Sequence, residues 1–239
     1  AILAEPNVSF ENTIEAMERS GAILNRVLNV FYNKSSSDTN DRIDAIEAEI
    51  APKLAAHSDA IRLNPHLFSR IKTLRSNTSA LNEEQSWLVE RYFRDFSHAG
   101  AELSDESRNR VKEINEELSS LQTQFGKKLL ADTNDLAVVV DHVADLDGLT
   151  PNQIAACKAA AESRGLKDKW LITMVNFTGH PLLSSLKNRT LREKVMKNSL
   201  LKGGRKNEND TQAVLLRMVA LRTERAKLFG LKTHAEFVL

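Results

Sequence analysis

Six histidines, one cysteine and a pair of adjacent glycines are the residues that could do chemistry here. A helical zinc site of the hydrolytic kind needs His-Glu-x-x-His. Histidines four apart share a helix face and a metal, and the glutamate activates the bound water. The histidines are His57, His66, His98, His142, His180 and His234; the closest two are nine residues apart, and none is followed by Glu. The motif is absent. Cys157 sits among Ile154, Ala155, Ala156 and Ala159 on an expected helix, the setting of a buried, inert thiol rather than a nucleophile. Lys202-Gly203-Gly204-Arg205-Lys206 lacks the Gly-x-x-x-x-Gly-Lys-Ser/Thr order of a phosphate cradle. It reads instead as a basic helix C-terminus, followed by a cap from Asn209 or Asp210. Gly179-His180-Pro181 reads as a turn before a helix, with its histidine facing solvent. The acidic clusters Glu47 to Glu49 and Glu113 to Glu117 are interleaved with apolar residues at helical spacing and read as solvated faces. No residue is assigned a catalytic, cofactor-binding or metal-binding role.

Composition narrows the scaffold. The 239 residues carry 33 Lys plus Arg against 32 Asp plus Glu, a formal net charge of +1. That balance argues against nucleic acid or an anionic membrane as a partner, since both select a basic surface. With 41% hydrophobic and 27% charged residues the profile is globular. Only 9 glycines and 5 prolines break the chain, which favours long helices over strand-and-turn folds. One cysteine permits no internal disulfide, which suits a reducing compartment, and a cytoplasmic location is expected. No apolar run reaches the roughly 18 residues of a membrane span, and no signal peptide is visible. The sequence lacks an initiating Met and stops on the apolar triplet Phe237-Val238-Leu239, which suggests a piece of something longer.

The pattern along the chain is mainly α. Ile14, Met17, Leu24, Val27 and Phe31 predict an amphipathic helix over 10–33 with Gly21 inside it, followed by a polar linker at Ser35 to Asp38. Ile43, Ile46, Ile50, Leu54 and Ile61 mark a second helix, bent at Pro52 and stopped by Asn64-Pro65. A shorter helix follows near 66–76. Asn82 with Gln85 forms a capping box for a helix to about 99. Ser104 caps the next, whose Val111, Ile114, Leu118, Leu121, Phe125 and Leu129 make a coiled-coil-like stripe to about 131. These two are expected to form an antiparallel hairpin. The period then changes: two short strands near 136–140 and 169–175 flank a helix that starts at Thr150-Pro151 and ends at Gly165. Helices over 181–187, 189–202 and 210–229 complete the chain. The fold class is an antiparallel helical bundle with a small two-stranded β element. The expected division is a helical lobe, 1–135, and a β-hairpin-like insertion with helices, 136–239, within one continuous lobe.

Five segments carry a family resemblance. They are Ser9 to Gly21 (SFENTIEAMERSG), Glu49 to His57 (EIAPKLAAH), and Ile114 to Ser119 with Gln124-Phe125 and Asp132-Thr133-Asn134. The others are Asn188 to Lys194 (NRTLREK), and Asn209-Asp210-Thr211 leading into Leu221 to Gly230 (LRTERAKLFG). Together and in order they resemble the zinc metallopeptidases that include peptidyl-dipeptidase (dipeptidyl carboxypeptidase), oligopeptidase A and thimet oligopeptidase. The Lys206 to Thr211 stretch looks most like the peptidyl-dipeptidase branch. The resemblance implies an N-terminal lobe, one wall of a deep channel that admits short peptides, with zinc and its ligands in a C-terminal catalytic half beyond this sequence. It implies zinc in the full-length enzyme, none in this chain, and no site residue that maps onto it. The partners it implies are short peptides and the missing half. A lobe on its own is expected to be inactive and to self-associate through uncovered apolar surface. An oligopeptidase A-like endopeptidase lobe, or a stand-alone helical interaction module, is the alternative.

Overall fold

The structure is a computed structural model that describes residues 2–176 and 178–239. It is mainly α, with one two-stranded antiparallel sheet among the described residues.

A π-helical turn at Glu11–Glu15 runs into α1 (Ala16–Arg19). The single helix expected over 10–33 is broken here. Ser20 is extended and Gly21 adopts φ +74°, a conformation that only glycine enters without strain. α2 (Ala22–Ser37) starts after it. Ile14 and Met17 are buried, whereas α2 buries nothing: Leu24 and Val27 lie exposed, so the expected stripe is split at the glycine. The polar linker expected at Ser35 to Asp38 is helical through Ser37, where the Ser36 and Ser37 hydroxyls satisfy themselves on the carbonyls of Tyr32 and Asn33.

α3 (Asp41–Arg62) continues through Pro52. Asn64 ends the connection by capping α4 (Pro65–Ser76), with Pro65 at its first position where no N–H is needed. The Asn82/Gln85 capping box forms as expected and starts α5 (Glu83–Ala99). α5 packs chiefly on α4, more closely than on the helix that follows it. Phe68 of α4 stacks with Phe93 and Phe96 of α5 at 5.4 and 6.3 Å between centroids. Ser104 caps α6 (Asp105–Asp135), and Val111, Ile114 and Leu118 of its apolar stripe are buried.

The strands fall where the β-branched run placed them. β1 (Val138–Val140) pairs antiparallel with a later strand, and Val138 and Val140 face inward while Val139 faces out. A 3₁₀ turn at Val143–Leu146 leads to α7 (Pro151–Ser163), opened by a Thr150/Gln153 capping box. β2 (Trp170–Ile172) follows, with Val138 opposite Ile172. α8 (Gly179–Leu183) is shorter than the expected 181–187 and takes in Gly179 and His180, where the sequence predicts a turn. α9 (Arg189–Leu200), α10 (Gln212–Leu228) and α11 (His234–Val238) complete the chain; α11 had no counterpart in the sequence reading.

The chain divides into two compact units. The first holds residues up to Thr123 together with Arg217–Leu239, and the second spans Gln124–Leu216. The first has a core of Ile14, Leu67, Phe68, Ile71, Val89 and Phe96. The second is built around Val138, Leu146, Ile172, Met174, Leu186 and Val195.

Candidate functional site

Within the first unit, four helices converge polar side chains on one cavity of about 320 Å³. α3 supplies Asp59 and Arg62, three residues apart and therefore on one face. α6 supplies Val111 and Asn115, α10 supplies Arg225, and Phe229 follows directly after α10. Phe237 of α11 and His98 of α5 close the side. Asn115 links the charges: its Nδ2 donates to both Asp59 carboxylate oxygens at 3.0 and 3.1 Å, and its Oδ1 accepts from Arg225 Nη1 at 2.9 Å. Burial pushes the Asp59 carboxyl above its ordinary range, and the Asn115 hydrogen bond opposes that rise. Burial, with the neighbouring Arg222 charge, lowers Arg225, and Asp59 pulls the other way. Two polar atoms of side chains against the Phe237 ring, Arg225 Nε and His234 Nδ1, are buried without a hydrogen-bond partner.

Nothing in the sequence reading marked this cluster. Asp59 and Arg225 look like solvated charges on helix faces. The one signal is Asn115, four residues after Val111 and three before Leu118, in the register of a stripe whose other members are apolar.

In the second unit the Gly203-Gly204 turn is held from beneath. Asp132 is fully buried; it accepts the Gly203 N–H at 2.6 Å and Arg205 Nε at 2.7 Å. Arg205 also pairs with Asp135, and those two carboxylates raise its pKa, Asp135 more than Asp132. The Thr211 N–H and hydroxyl both donate to Gly203 O, at 2.8 and 3.0 Å. Asp210 accepts Lys206 N–H and Gln212 N–H, as a residue capping the last long helix should. The turn's polar groups are thus met by the protein itself.

The histidines disperse. His98 Nε2 lies 2.7 Å from Phe237 O, and exposed His180 lies 2.6 Å from Ser199 Oγ. His234 stacks on Phe237. The donor set does not fit a zinc site: among the described residues no three of His, Cys, Asp and Glu come together to hold a metal. Cys157 is buried, and burial raises its thiol pKa. Of the acidic clusters, Glu49 and Glu113 are exposed, while Glu117 is held bidentate by Arg217 at 2.6 and 2.8 Å. Among the described residues no helix is long and apolar enough to cross a membrane.

No family model matches the chain. Individual proteins do. Dipeptidyl carboxypeptidase of Escherichia coli is 34% identical over 238 residues, 98% of this chain and 35% of its own length. Dipeptidyl carboxypeptidase of Salmonella typhimurium is 34% identical over 95% of this chain and 34% of its own. Oligopeptidase A of Haemophilus influenzae is 26% identical over 100% of this chain and 36% of its own. The chain spans about a third of the length of the curated relatives it matches. Over that third, it is homologous to dipeptidyl carboxypeptidase and oligopeptidase A.

Proposed function

We propose that this chain is the N-terminal, non-catalytic lobe of a zinc metallopeptidase that hydrolyses short peptides and releases dipeptides from free C-termini. Its helices form one wall of the channel through which substrate enters. The observation that carries the reading is the end-to-end match to dipeptidyl carboxypeptidase, 98% of this chain against 35% of that enzyme. Ile23, Val27 and Val30, which are 80%, 59% and 69% exposed along one face of α2, support a surface that the rest of the protein covers. Left uncovered, that face drives self-association of the isolated chain. A cytoplasmic location belongs to the same proposal; one relative is named a probable cytosolic oligopeptidase A, another an organellar one.

The match to oligopeptidase A over the whole chain favours a second reading, the lobe of an endopeptidase. One assay separates the two. The longest polypeptide carrying this sequence is purified from its source and given a quenched peptide with either a free or an amidated C-terminus. The primary reading predicts dipeptide release from the free form only, abolished by a chelator. Equal internal cleavage of both forms establishes the endopeptidase. Cleavage of neither leaves a helical interaction module and contradicts both.

A further inference from the structure

The cavity at Asp59, Asn115 and Arg225 carries an imbalance of charge. The Asn115 amide stands between Asp59 and Arg225, so the carboxylate and the guanidinium each bond to the amide and not to each other. Among the described residues Arg225 makes no ion pair, and its Nε is buried without a hydrogen-bond partner. Exposed Arg62, on the same face of α3 as Asp59, also makes no ion pair among the described residues. Lys112, Arg62 and Arg225 act on Asp59, and Arg222 acts on Arg225, so three cations face one carboxylate and a fourth stands behind Arg225. Arg225 is half-buried; a guanidinium so placed with an unmet donor is costly, and an anion that accepts from it recovers part of the loss. Beside these charges the lining is apolar: the Phe229 and Phe237 rings meet edge to face at 4.9 Å, and the Arg225 guanidinium lies 4.9 Å from the Phe237 centroid. Asp59 in the same cavity disfavours a doubly charged anion such as phosphate. The volume, about 320 Å³, falls at the lower end for small-molecule sites.

We infer that this cavity binds a small organic monocarboxylate with an aromatic or apolar body, the carboxylate held by Arg62 and Arg225 and the body against Phe229 and Phe237. The inference concerns this chain alone and does not depend on peptidase activity. Two sources present that chemistry: a free organic acid and the C-terminal residue of a peptide.

The test is a calorimetric titration of the 239-residue chain with phenylacetate, N-acetylphenylalanine, 2-phenylethanol and inorganic phosphate. Phenylacetate is expected to bind saturably with a dissociation constant of about 1 mM or below. The neutral alcohol and phosphate are expected not to. Tighter binding of phenylacetate assigns a free acid, and tighter binding of N-acetylphenylalanine assigns a peptide terminus. Arg225→Gln is expected to abolish binding. Arg62→Gln, at an exposed position that leaves the fold intact by circular dichroism, is expected to weaken it about tenfold through loss of one charge-assisted hydrogen bond. The inference is overturned if neither carboxylate binds, if 2-phenylethanol binds as well as phenylacetate, if phosphate is preferred, or if folded Arg62→Gln binds like the parent.

Discussion

Asp132 accepts the backbone N–H of Gly203 at 2.6 Å across 71 residues of sequence, from a position with no solvent exposure. The same carboxylate takes Arg205 Nε, so one buried side chain fixes the start of the loop between α9 and α10. Removing it strands a buried N–H and leaves Arg205 with Asp135 as its one remaining carboxylate. Asp132→Ala is expected to destabilise the protein by about 3–5 kcal/mol. Asp132→Asn, which keeps an acceptor but not the charge, is expected to cost less. Urea unfolding followed by circular dichroism measures both; equal losses would mean that the charge contributes nothing.

Arg70 does comparable work in the first unit. It is 8% exposed and donates to Thr13 Oγ1 at 3.1 Å, Asn12 Oδ1 at 2.8 Å, and the carbonyls of Glu5 and Asn7 at 2.6 and 3.1 Å. This gives the Asn12-Thr13 pair of the resemblance segment a physical role. Arg70→Met is expected to cost about 3 kcal/mol or more, since several acceptors lose a charged donor at once. Arg70→Lys is not expected to rescue it, because an ammonium cannot reach acceptors spread around a planar fork. Limited proteolysis within residues 2–12 should quicken in both variants; an unchanged cleavage pattern would contradict the role.

Two glycines with positive φ differ in what surrounds them. A Cβ on Gly148, at φ +98°, would lie 2.0 Å from the Ser185 carbonyl oxygen, whereas one on Gly21, at φ +74°, meets nothing within 4 Å. Gly21→Ala is expected to cost about 1 kcal/mol from backbone strain alone. Gly148→Ala adds displacement of a backbone carbonyl and is expected to cost roughly twice that or more. The order of their melting temperatures checks the argument.

Asp59 gives a pH signature of defined sign. Its folded pKa is raised by burial, so in the window from its unfolded value up to its folded value the native state holds the extra proton. Its contribution to stability therefore falls as pH rises through that window and levels off above it. Asp59→Asn removes this dependence. The stability of the parent minus that of Asp59→Asn should decline from about pH 4 upward and then flatten. A difference that grows with pH would mean that Asn115 and the nearby cations outweigh burial.

Much of the scaffold was legible because local signals agreed. The Asn82/Gln85 and Thr150/Gln153 boxes, Pro65 and Pro151 at first helical positions, and the Val111–Ile114–Leu118 stripe each fix an element by short-range chemistry. Val138 to Val140 announced a strand by β-branching and alternation. What failed was decided at longer range. Gly21 sits inside a sound helical period, and only its backbone angle ends the helix. Ser35 to Ser37 look like linker residues, but the Ser36 and Ser37 hydroxyls return to helix carbonyls and Ser35 donates to Glu47 on α3. The Asp59–Asn115–Arg225 chain joins three helices, and single charged residues in a sequence carry no sign of which distant partner they will meet.

The measurement that bears most directly on the proposed role is the mass of the polypeptide carrying this sequence in its source cells, read with an antibody raised to this chain. A lobe of a peptidase predicts a species of about three times 26.7 kDa, since the chain spans 35% of its dipeptidyl carboxypeptidase relative. A single species at 26.7 kDa would contradict the account and leave a helical module without a catalytic partner in its own chain.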